Sequence, residues 1–336
     1  MARTLTVAVF YYTQTGQALA IARSLCAPLE AAGCRVVERE IRPVTAYPFP
    51  WSSEAFFQVF PESRLGIACA IEPVDLSGAV AEADLVIVAG QSWYLSLSTP
   101  LHAFFQSPEV RAYLRGRPVV FVNGCRNMWV MTQHETRRYL REIGARYVGF
   151  IELHDRAPNL VSVLTIIRWL FYGRKEATRL LPAAGVSQRD VADADRFGLT
   201  ILRTLYDGQW EQLQERLMRE GAVTFILHLY FIERNGYRMW GRWAHFVRRQ
   251  GRRGRSASAR TAAALQSLPL LRVIRRIPLR PTVLWAHLPA APRRAEEGPP
   301  RSMLDVELMS CLFVETLGCS LVESMITPKR LNNPNT

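Results

Sequence analysis

Apolar residues in this chain fall into short continuous runs separated by stretches of helical spacing. Leu5–Phe10 is a β-rich apolar run ending at Tyr11-Tyr12, and Gln17–Ala32 then places Leu19, Ile21, Ala22, Leu25 and Leu29 at helical intervals. Cys34–Ile41, Ala83–Ala89, Pro118–Asn123 and Tyr147–Leu153 read as four further strands. Helices are predicted near Glu54–Phe60, from Pro100 through Phe105, over Thr132–Ile143 and, as one amphipathic element, over Ser187–Asp207. Strands apolar on both faces need cover on both faces, and alternating helices supply it. The pattern predicts a doubly wound parallel α/β sheet of five strands in the order 2-1-3-4-5. One stretch breaks the rhythm. Arg42–Ala83 is long and irregular, with a Pro/aromatic cluster at Tyr47–Trp51. A loop of that length in a compact domain carries function or hidden structure. Trp51, Phe56, Phe57 and Phe60 suit either a lid over a greasy substrate or a helix covering the sheet.

After Gly208 the pattern changes, which divides the chain into residues 1–208, a basic aromatic-rich helical extension over 209–288, and a Pro-rich tail over 289–336. Charge sharpens that division. The formal charge is +13, yet residues 221–294 hold 15 arginines and one acid, Glu233, so the remainder is close to neutral. Over 221–285, Phe225, Leu229, Phe231, Trp240, Trp243 and Phe246 alternate with Arg234, Arg238, Arg242, Arg248 and Arg249. Three readings are open: an interfacial helix on anionic lipid, packing on the α/β domain or on a second subunit in a homo-oligomer, and nucleic-acid binding, which no recognised motif supports. The loop Gly251–Arg260 and the segment Leu265–Ile277 continue the basic character.

Several classes are excluded at this level. The first residues lack an apolar signal-peptide region, so a cytoplasmic protein is expected, with peripheral contact to the inner membrane an option through 221–285. The longest apolar runs, Leu160–Ile167 and Ala222–Ile232, are too short to span a bilayer. Cys26, Cys34, Cys69, Cys125, Cys311 and Cys319 show neither CxxC spacing nor histidine partners, so neither a metal site nor a disulfide framework is expected.

The most informative local feature is the turn Thr13-Gln14-Thr15-Gly16-Gln17, directly after the first strand and opening a helix. Such a turn offers backbone N–H groups and two hydroxyls to an anion at a helix N-terminus, and Gly16 permits close backbone approach. A plain N-cap by Thr13 or Thr15 is the structural alternative. The spacing matches neither a Walker A loop nor GxGxxG. Val7–Ala22 resembles the FMN-phosphate loop of flavodoxins and flavodoxin-like reductases, although that loop usually ends in a further Thr or Ser where this chain has Ala18. The resemblance implies FMN as cofactor and two ring-binding loops, Gly90–Pro100 and Asn123–Thr132. In these, Trp93 and Tyr94 could stack on the ring, and Ser92, Asn123, Arg126, Asn127 and the backbone near Gly124 could reach its polar edge. Arg126 and Tyr94 are the candidate catalytic residues; the base is not identified. Each has a plainer reading: Trp93 and Trp129 as core caps, Arg126 as a solvated charge, Cys125 as a packed thiol, His102 and His134 as helix caps or surface residues.

Taken together, Tyr11–Gln17 (YYTQTGQ), Tyr47–Trp51 (YPFPW), Gly124–Trp129 (GCRNMW) and Pro158–Val163 (PNLVSV) resemble the bacterial family labelled "dialkylresorcinol condensing enzyme", found beside ketosynthases that make aryl lipids. Carbon–carbon condensation calls for an acyl-carrying Cys with His partners, which this chain does not supply. The resemblance therefore implies an FMN-dependent oxidase or aromatase that converts a dialkyl-cyclohexanedione into a dialkylresorcinol, with a lipid-like substrate and a ketosynthase as partner. Two alternatives stand beside it: a general NAD(P)H:quinone or FMN reductase, with NAD(P)H as second cofactor, and a non-catalytic partner of the ketosynthase.

Overall fold

The computed structural model describes residues 3–251. The readings of Leu265–Ile277, of residues 289–336, of Cys311 and Cys319, and of most of the Gly251–Arg260 loop lie outside the described residues.

Five strands run parallel: β1 (Thr6–Tyr11), β2 (Arg35–Glu40), β3 (Leu85–Trp93), β5 (Pro118–Cys125) and β6 (Arg146–His154), in spatial order β2-β1-β3-β5-β6. This is the doubly wound order expected from the alternation of apolar runs and helices. An additional two-residue strand, β4 (Ser96–Leu97), folds back antiparallel on β3. Alternate side chains leave opposite faces of each strand, so Val7, Val9, Leu85, Ile87, Val120, Val122 and Ile151 enter one apolar layer while Ala8, Phe10, Val86, Val88, Val119 and Phe121 enter the other.

The first layer is covered by α1 (Gln17–Ala31), α7 (Gln188–Ala192), α8 (Asp195–Asp207) and α9 (Trp210–Arg219). The second is covered by α3 (Thr99–Gln106), α4 (Pro108–Leu114) and α5 (Val130–Ile143). The expected single helix Ser187–Asp207 is two helices. Ala194, fully buried, accepts from Phe197 and donates to Val191, two successive i→i−3 bonds that tighten the chain and redirect it.

The long insert contains α2 (Ser53–Leu65), which packs on α3, on β4 and on the last described helix, α10 (Leu227–Gly251). Residues 209–251, assigned to an extension by their composition, pack on the same compact body as far as the description extends. Leu213 and Leu217 of α9 lie over β6 at Gly149, where a Cβ would stand 3.1 Å from Leu217 Cδ1 and 3.1 Å from Val120 Cγ2. In α10, Leu229, Glu233, Gly236 and Ala244 are buried, a helical stripe that faces α2 and α5. Between α5 and α7, α6 (Asn159–Tyr172) follows β6 and carries Trp169.

Candidate functional site

The carboxyl ends of β1, β3, β5 and β6 bring four turns to one edge of the sheet, the edge where open α/β sheets bind ligands. The β1–α1 turn is the most regular of them. Gly16 has φ +80°, and a Cβ there would touch nothing within 4 Å, so backbone conformation rather than crowding selects glycine. No side chain caps α1 and no acid occupies its first turn, so the orphan amides of that turn are left for another acceptor. Thr13 Oγ1 is buried with no hydrogen-bond partner among the described residues, and thus does not act as the helix cap. Gln14 Nε2 donates to Pro48 O (3.1 Å), and Trp51 Nε1 donates to Gln14 Oε1 (3.1 Å), tying the turn to the insert. Gln17 Nε2 donates to Val186 O (3.1 Å), closing the other side. Of the five residues singled out here, Gln14 and Gln17 shape the turn, while Thr13, Thr15 and Gly16 keep their anion-binding potential.

An aromatic wall adjoins the turn. Trp93 meets Tyr12, Tyr47 and Trp51 edge-on, with ring centroids 5.7, 5.1 and 5.5 Å apart, and Phe49 meets Trp169 of α6 at 6.0 Å. Trp51 is buried, and its backbone N–H donates to Leu170 O (2.7 Å).

The turn after β3 departs from expectation. The strand runs on to Trp93, and Tyr94 (φ 51°) and Leu95 (φ 61°) reverse the chain into β4, a left-handed pair without glycine or asparagine. Tyr94 is carried away from the sheet edge. It packs on Phe56 (4.9 Å), Phe60 (5.4 Å) and Trp240 (6.2 Å), and its hydroxyl donates to Phe56 O. Its phenol is pushed well above its ordinary value by burial. It stacks on core aromatics rather than lining the turn.

The loop after β5 is also shorter than expected, because Asn123, Gly124 and Cys125 are strand residues paired with β6. Asn123 is fully buried; its Nδ2 donates to Ser92 Oγ (3.0 Å), and Thr132 Oγ1 donates to the same oxygen (2.8 Å). Ser92 and Asn123 therefore hold β3, β5 and α5 together and are spent on one another. Cys125 is a packed thiol pushed upward by burial, not a nucleophile. Arg126 donates Nη1 to Asn159 Oδ1 (2.6 Å) and has no carboxylate partner among the described residues; burial pulls its pKa down. Asn127 Nδ2 donates to the same Asn159 Oδ1 (2.9 Å).

Three polar features escaped the sequence reading. His102, expected as a cap or surface residue, is fully buried in a network with Glu135: its Nε2 donates to Ser63 O (3.0 Å), so Nδ1 accepts from Tyr139 Oη (3.0 Å), and burial lowers its pKa. Tyr237 Oη of α10 donates to Glu135 Oε1 (2.7 Å). Glu152 and His154, two apart at the end of an apolar strand, form a carboxylate–imidazole pair; that spacing was the available signal.

Third, Glu233 of α10 accepts from Met131 N (2.8 Å) and Val130 N (3.2 Å), capping α5 from another helix. Burial pushes its carboxyl up to about 7, against the pull of those amides. The folded chain then holds this proton more tightly than the unfolded one. The contribution to stability is complete below the ordinary carboxyl value of 4.5 and is lost as pH rises through 7. Urea denaturation at several pH values tests this: relative to Glu233→Gln, the native chain should lose about 3 kcal/mol between about pH 4.5 and 8. Parallel pH profiles would contradict it.

Among the described residues, no group of three His, Cys, Asp or Glu side chains is arranged for a metal ion, and no helix is long and apolar enough to cross a membrane. No protein-family model matches the chain, and comparison with curated proteins finds no match. Solved structures similar to it include a flavodoxin from the domain Archaea (12% identity, 60% of this chain, 99% of that one, TM-score 0.34). A flavoprotein in complex with FMN from Lactobacillus acidophilus is similar at 12% identity over 45% of this chain and 93% of that one, with TM-score 0.36. Two-electron reduced Megasphaera elsdenii flavodoxin is similar at 17% identity over 46% and 89%, with TM-score 0.31.

Proposed function

We propose that this chain binds FMN, with the phosphate at the β1–α1 turn, and works as a flavin-dependent oxidoreductase. The observation that carries the reading is the turn itself: a left-handed Gly16, an uncapped first turn of α1 and a buried, unpartnered Thr13 hydroxyl among the described residues. Trp93 and the aromatic wall would supply an apolar face for the ring, and Arg126 a polar edge; Tyr94, Ser92, Asn123 and the Asn127 amide N–H are engaged elsewhere. When bound, FMN would supply two-electron redox chemistry. Titrating FMN-free protein with FMN and with riboflavin tests the phosphate assignment. FMN should bind at least about tenfold tighter, since charge-assisted hydrogen bonds to phosphate contribute about twice a neutral one; equal affinities would overturn it.

The finer reading is the one implied by the resemblance: removal of two hydrogens from a dialkyl-cyclohexanedione, giving a dialkylresorcinol downstream of a ketosynthase. The aromatic residues of the insert and α6 support a lipid-like substrate, because they form an apolar wall contiguous with the turn. NAD(P)H-driven turnover of simple quinones, without activity on a cyclohexanedione, would overturn it in favour of a general reductase.

Contact with an anionic membrane surface is supported by the outward stripe of α10. Leu227 and Phe231 are exposed in its first turns, next to exposed Phe225, and Arg238, Arg242 and Arg249 are exposed beyond them on the same side. An apolar tip flanked by arginines fits an anionic lipid surface. The full chain should float with phosphatidylglycerol vesicles and remain behind with phosphatidylcholine, and Phe231→Ser with Arg238→Glu should abolish flotation. Salt-sensitive DNA retention without flotation would overturn this in favour of nucleic acid.

A further inference from the structure

The last residues of β6 carry an acid–base pair at the functional edge of the sheet. Glu152 and His154 are two apart on a strand and so share a face. Glu152 is buried, with Oε2 at 2.9 Å and Oε1 at 3.1 Å from His154 Nδ1, while Thr224 N donates to Oε1 (2.8 Å). A ring nitrogen facing a carboxylate carries the proton, which leaves Nε2 as the basic nitrogen of the neutral ring. His154 remains part-exposed and lines a small cleft with Asn127, Trp129, Tyr230 and Glu233.

Asn127 says what the cleft lacks. Asn159 Oδ1 accepts from Arg126 Nη1, which fixes that atom as oxygen, so the Asn127 atom 2.9 Å from it is the amide nitrogen. Asn127 Oδ1 must then point elsewhere. It is buried and finds no partner among the described residues, in a side chain that is nine-tenths buried. A buried acceptor without a donor is costly, and a donor from outside the chain, a water or a hydroxyl, satisfies it. The cleft has room for about one water-sized group, so a single oxygen enters it rather than a whole ring.

We propose that this cleft receives an enolic or phenolic hydroxyl of the substrate, and that His154, held by Glu152, exchanges its proton. In the step, the hydroxyl turns its one proton from Asn127 Oδ1 to His154 Nε2, the substrate O–H bond breaks, the electron pair stays on oxygen as an enolate or phenolate, and the new imidazolium N–H donates to that oxygen; the reverse returns the proton. Nothing is oxidised or reduced in it. The substrate class rests on the cyclohexanedione reading above, whereas the pair and the cleft do not depend on the flavin. The Glu152 hydrogen bond raises the His154 pKa above that of ordinary imidazole, against the pull of burial. Arg156 lowers it and Asp190, of α7, raises it; Glu233, of α10, lines the same cleft, and Arg126 shares Asn159 Oδ1 with Asn127.

The test uses the full, FMN-free chain with isotopically labelled histidine. The ring of His154, assigned with His154→Gln among the six histidines, is followed by NMR as pH is varied, with and without cyclohexane-1,3-dione. The dione should shift the His154 signals saturably and move their titration midpoint upward, because the bound enolate favours the imidazolium. In Glu152→Gln the midpoint should fall and dione affinity weaken about tenfold. A His154 midpoint unmoved by the dione in the native chain overturns the proposal without any variant being needed. The two readings fail separately: no FMN binding with a responsive His154 removes only the flavin, and FMN binding with a silent His154 removes only this pair.

Discussion

Glu135→Ala should lower the stability of the fold by about 3–5 kcal/mol, a third or more of what a typical domain has in total. Glu135 is buried and accepts from Leu97 N (3.0 Å), Ser96 Oγ (2.7 Å) and Tyr237 Oη (2.7 Å). Alanine removes the acceptor and leaves three donors facing a space too well enclosed to hydrate all of them. The loss spreads, because the donors belong to two different pieces of structure. Ser96 and Leu97 are the whole of β4, whose turn already holds two non-glycine residues in left-handed conformations. Tyr237 anchors α10, and its ring lies under the Arg64 guanidinium at 3.2 Å. Urea denaturation followed by circular dichroism gives the magnitude. Protease cleavage within α10 should accelerate in parallel, since Tyr237 loses its acceptor. Glu135→Gln, which keeps the volume and one acceptor oxygen, should cost about half as much. A loss under about 1 kcal/mol would mean that the three donors find water.

Why this network stayed invisible in the sequence while the sheet did not is a matter of range. The five parallel strands announce themselves locally, as apolar runs such as Leu85–Ala89 and Pro118–Asn123 whose neighbours in the chain are helices. The β1–α1 turn is local as well: glycine at a left-handed position directly after a strand is a statement about six residues. Glu135 and Tyr237 are 102 residues apart, and Glu233 caps an amide 102 residues away. No local pattern joins them. The hairpin at Tyr94-Leu95 was illegible for the opposite reason: its residues point away from the conformation they adopt, and it forms because Phe56, Phe60 and Trp240 enclose Tyr94. In α10 the arginines dominate composition and occupy the exposed face, which concealed a buried stripe of Leu229, Glu233, Gly236 and Ala244. The two segments expected to be loops after β3 and β5 are shorter than their sequence suggests, because both strands run on past the end of their apolar runs, converting Asn123 and Gly124 from loop to ladder.

Thr13→Val should act in opposite directions on the empty and the loaded protein, and that is what separates an anion cradle from an ordinary helix start. Valine keeps the β-branched shape and removes only the hydroxyl. In the empty chain that hydroxyl is buried and unpartnered among the described residues, so its removal should leave stability unchanged or raise it by up to about 1 kcal/mol. With FMN bound, the same hydroxyl would donate to a phosphate oxygen, a charge-assisted bond contributing about 1.5–3 kcal/mol, so affinity should drop roughly 10- to 150-fold. Riboflavin, which has no phosphate, should bind native and variant chains alike. Thermal melts with and without FMN, beside a fluorescence titration, read both signs in one pair of samples. If Thr13 served the fold instead, as a cap for α1, valine would lower the melting temperature of the empty protein and leave the ratio of FMN to riboflavin affinity untouched. An unchanged FMN affinity with an unchanged melt would remove the phosphate from this turn altogether. Gly16 cannot supply so clean a test, because any side chain at φ +80° strains the backbone whether or not an anion is bound.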